Sequence, residues 1–129
     1  MKLDKQNLVE RAQEAMKNAI APYSNFRVGA ALLADSGKTY SGCNIENPSL
    51  TLSVCAERVA MLKALSQGER KFKALAIVSS SADYCPPCGA CRQIFFEFSP
   101  EIEIILTDNR GSIITKSLKE LLPFPFKKT

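Results

Sequence analysis

The segment CPPCGACRQ, residues 85–93, sets three thiols three residues apart: Cys85, Cys88 and Cys91. Cys43 and Cys55 stand upstream, and the chain contains no histidine. Any metal site here must be built from thiolates and carboxylates. The five cysteines are an odd number, so not every thiol can pair within the chain. A structural disulfide suits an oxidising compartment, whereas clustered cysteines in a reducing one bind metal or react. Cys88-Gly-Ala-Cys91 also fits the bare pattern of a thioredoxin-like redox pair. An iron–sulfur cluster wants four thiolates, and so does a closed structural zinc. For both of these, Cys55 could supply the fourth sulfur. A catalytic zinc needs three protein ligands and an open position.

The residue two places after Cys55 separates these readings. In mid-helix, Cys55 and Glu57 would point about 200° apart. At a helix start, a metal above the helix end sees both side chains. The apolar pattern of VCAERVAMLKALSQ does begin there, at residue 54. Cys88 follows Pro86-Pro87, a pair suited to the approach to a helix. Cys-x-Glu and Pro-Cys-x-x-Cys thus each open a helix that follows a sheet segment, and two helix dipoles would converge on one anionic cluster. Taken alone, Glu57 would read as a surface carboxylate in a first turn.

The length, 129 residues, predicts one domain spanning residues 1–129. A chain of this size buries a core without staples. The net charge of +4 comes from scattered Lys and Arg, which argues against a nucleic-acid partner. No apolar run reaches membrane-spanning length, and the charged first twenty residues do not read as a secretory leader. The expected location is the cytoplasm.

Along the chain, Leu8, Ala12, Ala15, Met16 and Ala19 recur at helical spacing, with Pro22 as the stop. FRVGAALLA, from Phe26, is apolar or small on both faces and predicts a central strand. DSGK turns into a hairpin partner, TYSGCN. ALAIVS at 74–79 predicts an inner strand, RQIFFEF a helix, and EIEIILT at 101–107 a further strand. That β–α–β order implies a parallel crossover. SIIT makes a last strand, and Ser117 with Glu120 forms a capping box over a short final helix. The order α-β-β-α-β-α-β-β-α predicts an α/β fold: three layers, with a mixed sheet of about five strands and helices on both faces.

These segments bring the sequence close to a known family. CAE at 55–57 with PCGAC at 87–91 resembles the zinc-dependent cytidine deaminases, whose signature pairs Cys- or His-x-Glu with Pro-Cys-x-x-Cys. APYSNFRVGAALL, SGCNIEN, CAER, PCGACRQ and ELLP all resemble segments of the small homotetrameric members that act on free nucleosides. They run from residue 21 to 123. The resemblance implies a cytidine deaminase-like fold and one zinc per chain, held by Cys55, Cys88 and Cys91. It implies hydrolytic deamination of cytidine and 2′-deoxycytidine, with release of ammonia, as in pyrimidine salvage. Glu57 would carry protons between the attacking water, N3 of cytosine and the leaving amino group. Three thiolates and Zn²⁺ sum to −1, and the family offsets this with an arginine that matches Arg58. Gln93 is a further candidate to support the ligands.

For substrate, the resemblance assigns Asn44 and Glu46 to the ribose, Phe26 to the face of the pyrimidine and the Ala56 backbone to the base carbonyl. Three of the assigned residues have a plainer alternative: Glu46 as a surface turn residue, Phe26 as a core residue and Arg58 as an exposed ion-pair partner. Phe126, or else Phe124, matches an aromatic that reaches a neighbouring subunit's site, which implies a homotetramer. The chain departs from the family at Leu50, where tyrosine is common, and at Cys85, where a small residue is usual. Cys85 is expected to be a bystander thiol and Cys43 a small buried hydrophobe. The rival functions are deamination of a modified nucleoside, editing of a polynucleotide, and a non-enzymatic zinc module with Cys85 as fourth ligand.

Overall fold

The strong apolar runs of the sequence become the middle of a sheet. The computed structural model describes residues 3–128. Five strands, β1 (Val28–Ala34), β2 (Thr39–Cys43), β3 (Phe72–Ser79), β4 (Glu103–Thr107) and β5 (Ile113–Ser117), form one sheet in the order β2-β1-β3-β4-β5. All seven residues of β1 are buried, as its two apolar faces predict. β3 and β4 run parallel, with a helix between them, and the other pairings are antiparallel. The sheet is therefore mixed, and its one parallel pair is the one that requires a crossover.

Four helices cover the sheet: α1 (Lys5–Met16), α2 (Ala56–Ser66), α3 (Gly89–Phe98) and α4 (Leu118–Leu121). Alternation along β1 divides its side chains between two cores. Ala31 and Leu33 join Leu8, Val9 and Ala12 of α1. Val28, Ala30, Leu32 and Ala34 face the opposite way, with Ala60 and Met61 of α2 and Phe95 of α3. Fully buried side chains such as Leu32, Leu75 and Ile104 each contribute about 1.5–3 kcal/mol. Two glycines set how closely the helices approach. A Cβ on Gly29 would lie 2.0 Å from the Ala12 carbonyl, so α1 sits directly on β1 there. A Cβ on Gly42 would lie 2.6 Å from both Ala56 O and Ala60 N, which brings the start of α2 onto β2.

Local boundaries differ from the periodicity in instructive ways. α1 ends at Met16, well before Pro22. Its continuation is prevented because Ile20 pairs with the 44–46 segment: Ile20 N–H donates to Asn44 O at 3.0 Å and Glu46 N–H donates to Ile20 O at 2.8 Å. β1 starts at Val28 rather than Phe26, because side chains occupy the Phe26 backbone: its N–H donates to Ser24 Oγ and its carbonyl accepts from Asn44 Nδ2. A 3-10 turn at Leu50–Leu52, unmarked in the sequence pattern, leads towards α2. The Ser117–Glu120 capping box forms as read, with both reciprocal bonds present.

Candidate active site

The site lies where α2 and α3 begin. Cys55 is the N-cap of α2, in extended backbone, and its side chain makes no capping bond. Cys88 is the N-cap of α3, and its Sγ accepts from Cys91 N–H at 3.4 Å. The three sulfurs converge: Cys55 and Cys88 are 3.6 Å apart, Cys88 and Cys91 3.2 Å, and all three lie within 4.8 Å of one another. Tetrahedral zinc with Zn–S near 2.3 Å would hold its sulfurs about 3.8 Å apart. The donor set fits that ion in both type and spacing. Two helix N-termini face the cluster, so their dipoles favour its negative charge.

The thiols show the same preference. Cys55 is drawn down to about 6, chiefly by a hydrogen bond from Cys91, against the opposing effects of burial and Glu57. The same bond, with burial, pushes the Cys91 thiol well above its ordinary range. Cys55 and Cys91 thus hold one proton between them, and a bound dication is what would let both ionise together. Cys85 is not among the convergent ligands. Burial, followed by the charges of Glu57, Cys55 and Cys88, raises it to about 11. Its sulfur lies beside Pro86 O at 3.9 Å, outside the three-sulfur cluster. The three sulfurs leave a fourth position open.

Glu57 sits at the second position of α2, 4% exposed. Its Oε2 accepts from Cys88 N–H at 3.2 Å, so the carboxylate of one helix holds the ligand loop of the other. Burial raises its pKa, opposed by its own backbone N–H, that of Cys88 and the charge of Arg58. Burial acts to lower the Arg58 pKa, but its interactions with the cysteines, Cys91 foremost, outweigh this and raise it. Its buried Nε has no hydrogen-bond partner among the described residues. Arg58 therefore supplies positive charge against the sulfurs.

A cavity of about 360 Å³ opens beside the sulfurs, within the usual size of small-molecule sites. Phe26, Asn44 and Glu46 line it at one end, and Ala56, Glu57 and Cys88 at the other. The far rim is a web of hydrogen bonds. Glu46 Oε1 accepts from Tyr23 N–H at 3.0 Å and Ser24 N–H at 3.1 Å, and its Oε2 accepts from the Ser24 hydroxyl. That hydroxyl, ahead of the two backbone donors, holds the Glu46 carboxyl below its usual range despite the opposing effect of burial. Asn44 Oδ1 accepts from Val28 N–H and its Nδ2 donates to Phe26 O, both at 2.8 Å. Asn44 and Ser24 thus bracket Phe26 from its two backbone groups.

Gln93 makes no hydrogen bond to the sulfurs among the described residues. Its Nε2 donates to Phe126 O at 2.9 Å and its Oε1 accepts from Phe126 N–H at 3.2 Å, so the whole amide grips the C-terminal segment. Phe126 and Phe124 do not line the cavity of their own chain and are 72% and 96% exposed. Leu50 is also exposed, and Cys43 is half-buried on β2. Two residues at the site escaped the sequence reading. Ser24 carries no motif of its own. Arg92 follows the last cysteine directly, and only its tertiary partners reveal it.

Residues 2–107 match the model of the cytidine and deoxycytidylate deaminase zinc-binding region. The chain is 45% identical to the cytidine deaminase of Sporosarcina psychrophila over 98% of its own length and 93% of that protein's. It superposes on the crystal structure of cytidine deaminase from Burkholderia pseudomallei with a TM-score of 0.91 and 44% identity, covering 96% of this chain and all of that one. The cytidine deaminase from Mycobacterium tuberculosis gives a TM-score of 0.86 at 36% identity, over 98% of this chain and all of that one. An α/β/α sandwich carrying three thiolates and a carboxylate at two helix starts defines a zinc hydrolase site. The chain belongs to the cytidine and deoxycytidylate deaminase zinc-binding family.

Proposed function

We propose that this protein converts cytidine and 2′-deoxycytidine, with water, to uridine or 2′-deoxyuridine and ammonia, in pyrimidine salvage. The observation that carries the reading is the buried Glu57 carboxylate within one cavity with a three-sulfur cluster that leaves a position open. Zinc, when bound to Cys55, Cys88 and Cys91, supplies a Lewis acid that lowers the pKa of a water towards neutrality. Glu57 Oε2 is held by the Cys88 N–H, which leaves Oε1 to carry the proton. It takes a proton from the water and delivers it to N3 of the cytosine ring while the water oxygen forms its bond to C4; the second proton of that oxygen passes through Glu57 to the C4 amino group, and the C4–N bond breaks to release ammonia. Arg58 offsets the thiolate charge.

Phe26 packs on the pyrimidine face, the Ala56 backbone meets the base carbonyl, and Asn44 with Glu46 accept the ribose. The polar far rim favours a sugar-bearing substrate over a free base, and a cavity of this size suits a nucleoside rather than a polynucleotide. Exposed Tyr23, Leu50, Leu52 and Phe126 support a homotetramer in which the C-terminal aromatic of one chain reaches its neighbour's cavity. Thiolate ligands are maintained in a reducing compartment, which supports the cytoplasm as the location.

The test is ammonia release from cytidine by zinc-replete protein, with light scattering on the same sample. Turnover by a four-chain particle is expected. No turnover with one zinc per chain would discard the cytidine assignment, and a stable monomer would discard the shared site.

A further inference from the structure

One peptide bond beside a metal ligand is held from both ends. Its N–H, that of Cys88, donates to Glu57 Oε2 at 3.2 Å. Its carbonyl, that of Pro87, accepts from Arg92 Nε at 2.7 Å. The peptide unit is planar, so fixing the carbonyl also fixes the direction of the N–H. The ring of Pro87 sets φ but leaves ψ free, and ψ is the angle that orients this plane. Pro87 is fully buried, so no water replaces Arg92 at that carbonyl without entering the core.

Arg92 is anchored in turn. Its Nη1 donates to Leu121 O at 2.7 Å, at the last residue of α4. Terminal helix carbonyls lack partners within the helix, and cationic side chains satisfy them. Arg92 takes part in none of the ion pairs among the described residues. Its charge is directed at carbonyls instead. A charged donor on one side of a peptide polarises it and strengthens the hydrogen bond made by its other side.

We propose that Arg92 is the positioning residue for Glu57: it orients and polarises the Pro87–Cys88 peptide that holds the carboxylate, and it ties that peptide to the end of α4. The proposal rests on the reading of Glu57 as the proton carrier. The adjacent Gln93 grips Phe126, so the Arg92-Gln93 pair links the C-terminal segment to the reacting end of the cavity.

The experiment uses the zinc-replete full chain and the variants Arg92→Ala, Arg92→Lys and Glu57→Gln. Four quantities are measured: zinc per chain, thermal unfolding, steady-state kinetics on cytidine, and the amide resonance of Cys88. Arg92→Ala should keep its zinc and lower kcat on the order of tenfold or more, since small displacements of a reacting group are costly. KM should stay within about twofold, because ground-state binding is untouched. The Cys88 amide proton should move upfield as its bond to Glu57 weakens, and millimolar methylguanidinium should restore part of kcat. Arg92→Lys should fall between the two, and it carries the test if the alanine variant does not fold.

Unchanged kcat or an unmoved Cys88 resonance overturns the proposal. So does a loss that follows the unfolded fraction and is not rescued by methylguanidinium. Glu57→Gln separates the two layers: an active Glu57→Gln removes the reading of Glu57 itself, whereas an inactive one beside an unaffected Arg92→Lys removes only the role of Arg92.

Discussion

The two ends of the cavity are built on different principles. At the end proposed to react, Cys55, Glu57, Cys88 and Cys91 all belong to the first turns of two helices, or cap them. Their positions follow from regular backbone, and Glu57 and Cys91 are buried. At the far rim, Phe26, Asn44 and Glu46 lie outside the strands and helices and are held by hydrogen bonds to the backbone of neighbouring loops and of the first residue of β1. The first end is set by rigid elements, as chemistry at a fixed atom requires. The second is set by exchangeable polar bonds, which suits a region that admits and releases a substrate. Changes at the first end should act on kcat, and changes at the second on KM.

The sharpest break would come at Glu57. Glu57→Gln should lower kcat on the order of 10²–10⁴-fold with zinc retained, as expected for loss of a general acid–base group. Single-turnover kinetics beside metal analysis checks this. A rise in KM of similar size without a change in kcat would reverse the proposed division.

Gly42→Ala and Gly29→Ala place one methyl group under different helices. Each should destabilise the fold by about 1–3 kcal/mol through overpacking, measured by urea unfolding. Only Gly42→Ala displaces the start of α2, with Cys55 and Glu57. It should therefore also lower kcat per folded molecule, while Gly29→Ala should not. Equal kcat in the two would show that the reacting end tolerates movement of α2.

At the far rim, Glu46→Gln should raise KM on the order of tenfold and leave kcat within about threefold, since it removes a charged acceptor rather than a reacting group. A loss mainly in kcat would merge the two ends into one unit.

The smallest effect is expected at Ser24. Ser24→Ala should raise KM about two- to fivefold by removing one hydrogen bond to the Glu46 carboxylate. It should also change the pH dependence of KM. The Ser24 hydroxyl holds the Glu46 carboxyl low, so its charged form is present above the ordinary carboxylate range and is lost only as pH falls through the lowered value. Without the hydroxyl, that loss should begin at a higher pH. An acid limb in KM that stays in place would show that Ser24 does not govern the charge of Glu46.

Much of this molecule was legible as a string because the deciding interactions are local. The order of nine main elements follows from periodicity, turns and proline positions, each acting over a few residues. Cys88 and Cys91 stand three apart at a helix start, and Cys55 caps a second helix, so the motif itself largely builds their geometry. The Ser117–Glu120 box is closed within four residues. Periodicity failed where a distant segment intervened. α1 stops at Met16 because Ile20 pairs with residues 44–46, and Phe26 leaves β1 because Asn44 and Ser24 take its backbone.

The sequence by itself determined the strands, the helices and the presence of thiolates and a carboxylate at two helix starts, because hydrogen bonds of a few residues' span and apolar alternation suffice for those. Only the tertiary structure decided which partners the long side chains find. It turned Gln93 to Phe126 and Arg92 to Pro87 and Leu121, 29 residues further on, and it held Cys85 out of the metal cluster. It also joined Glu46 to Ser24 across 22 residues. Such bonds join groups far apart along the chain, and a flexible side chain carries no periodic signal of the one partner that packing will bring within about 3 Å.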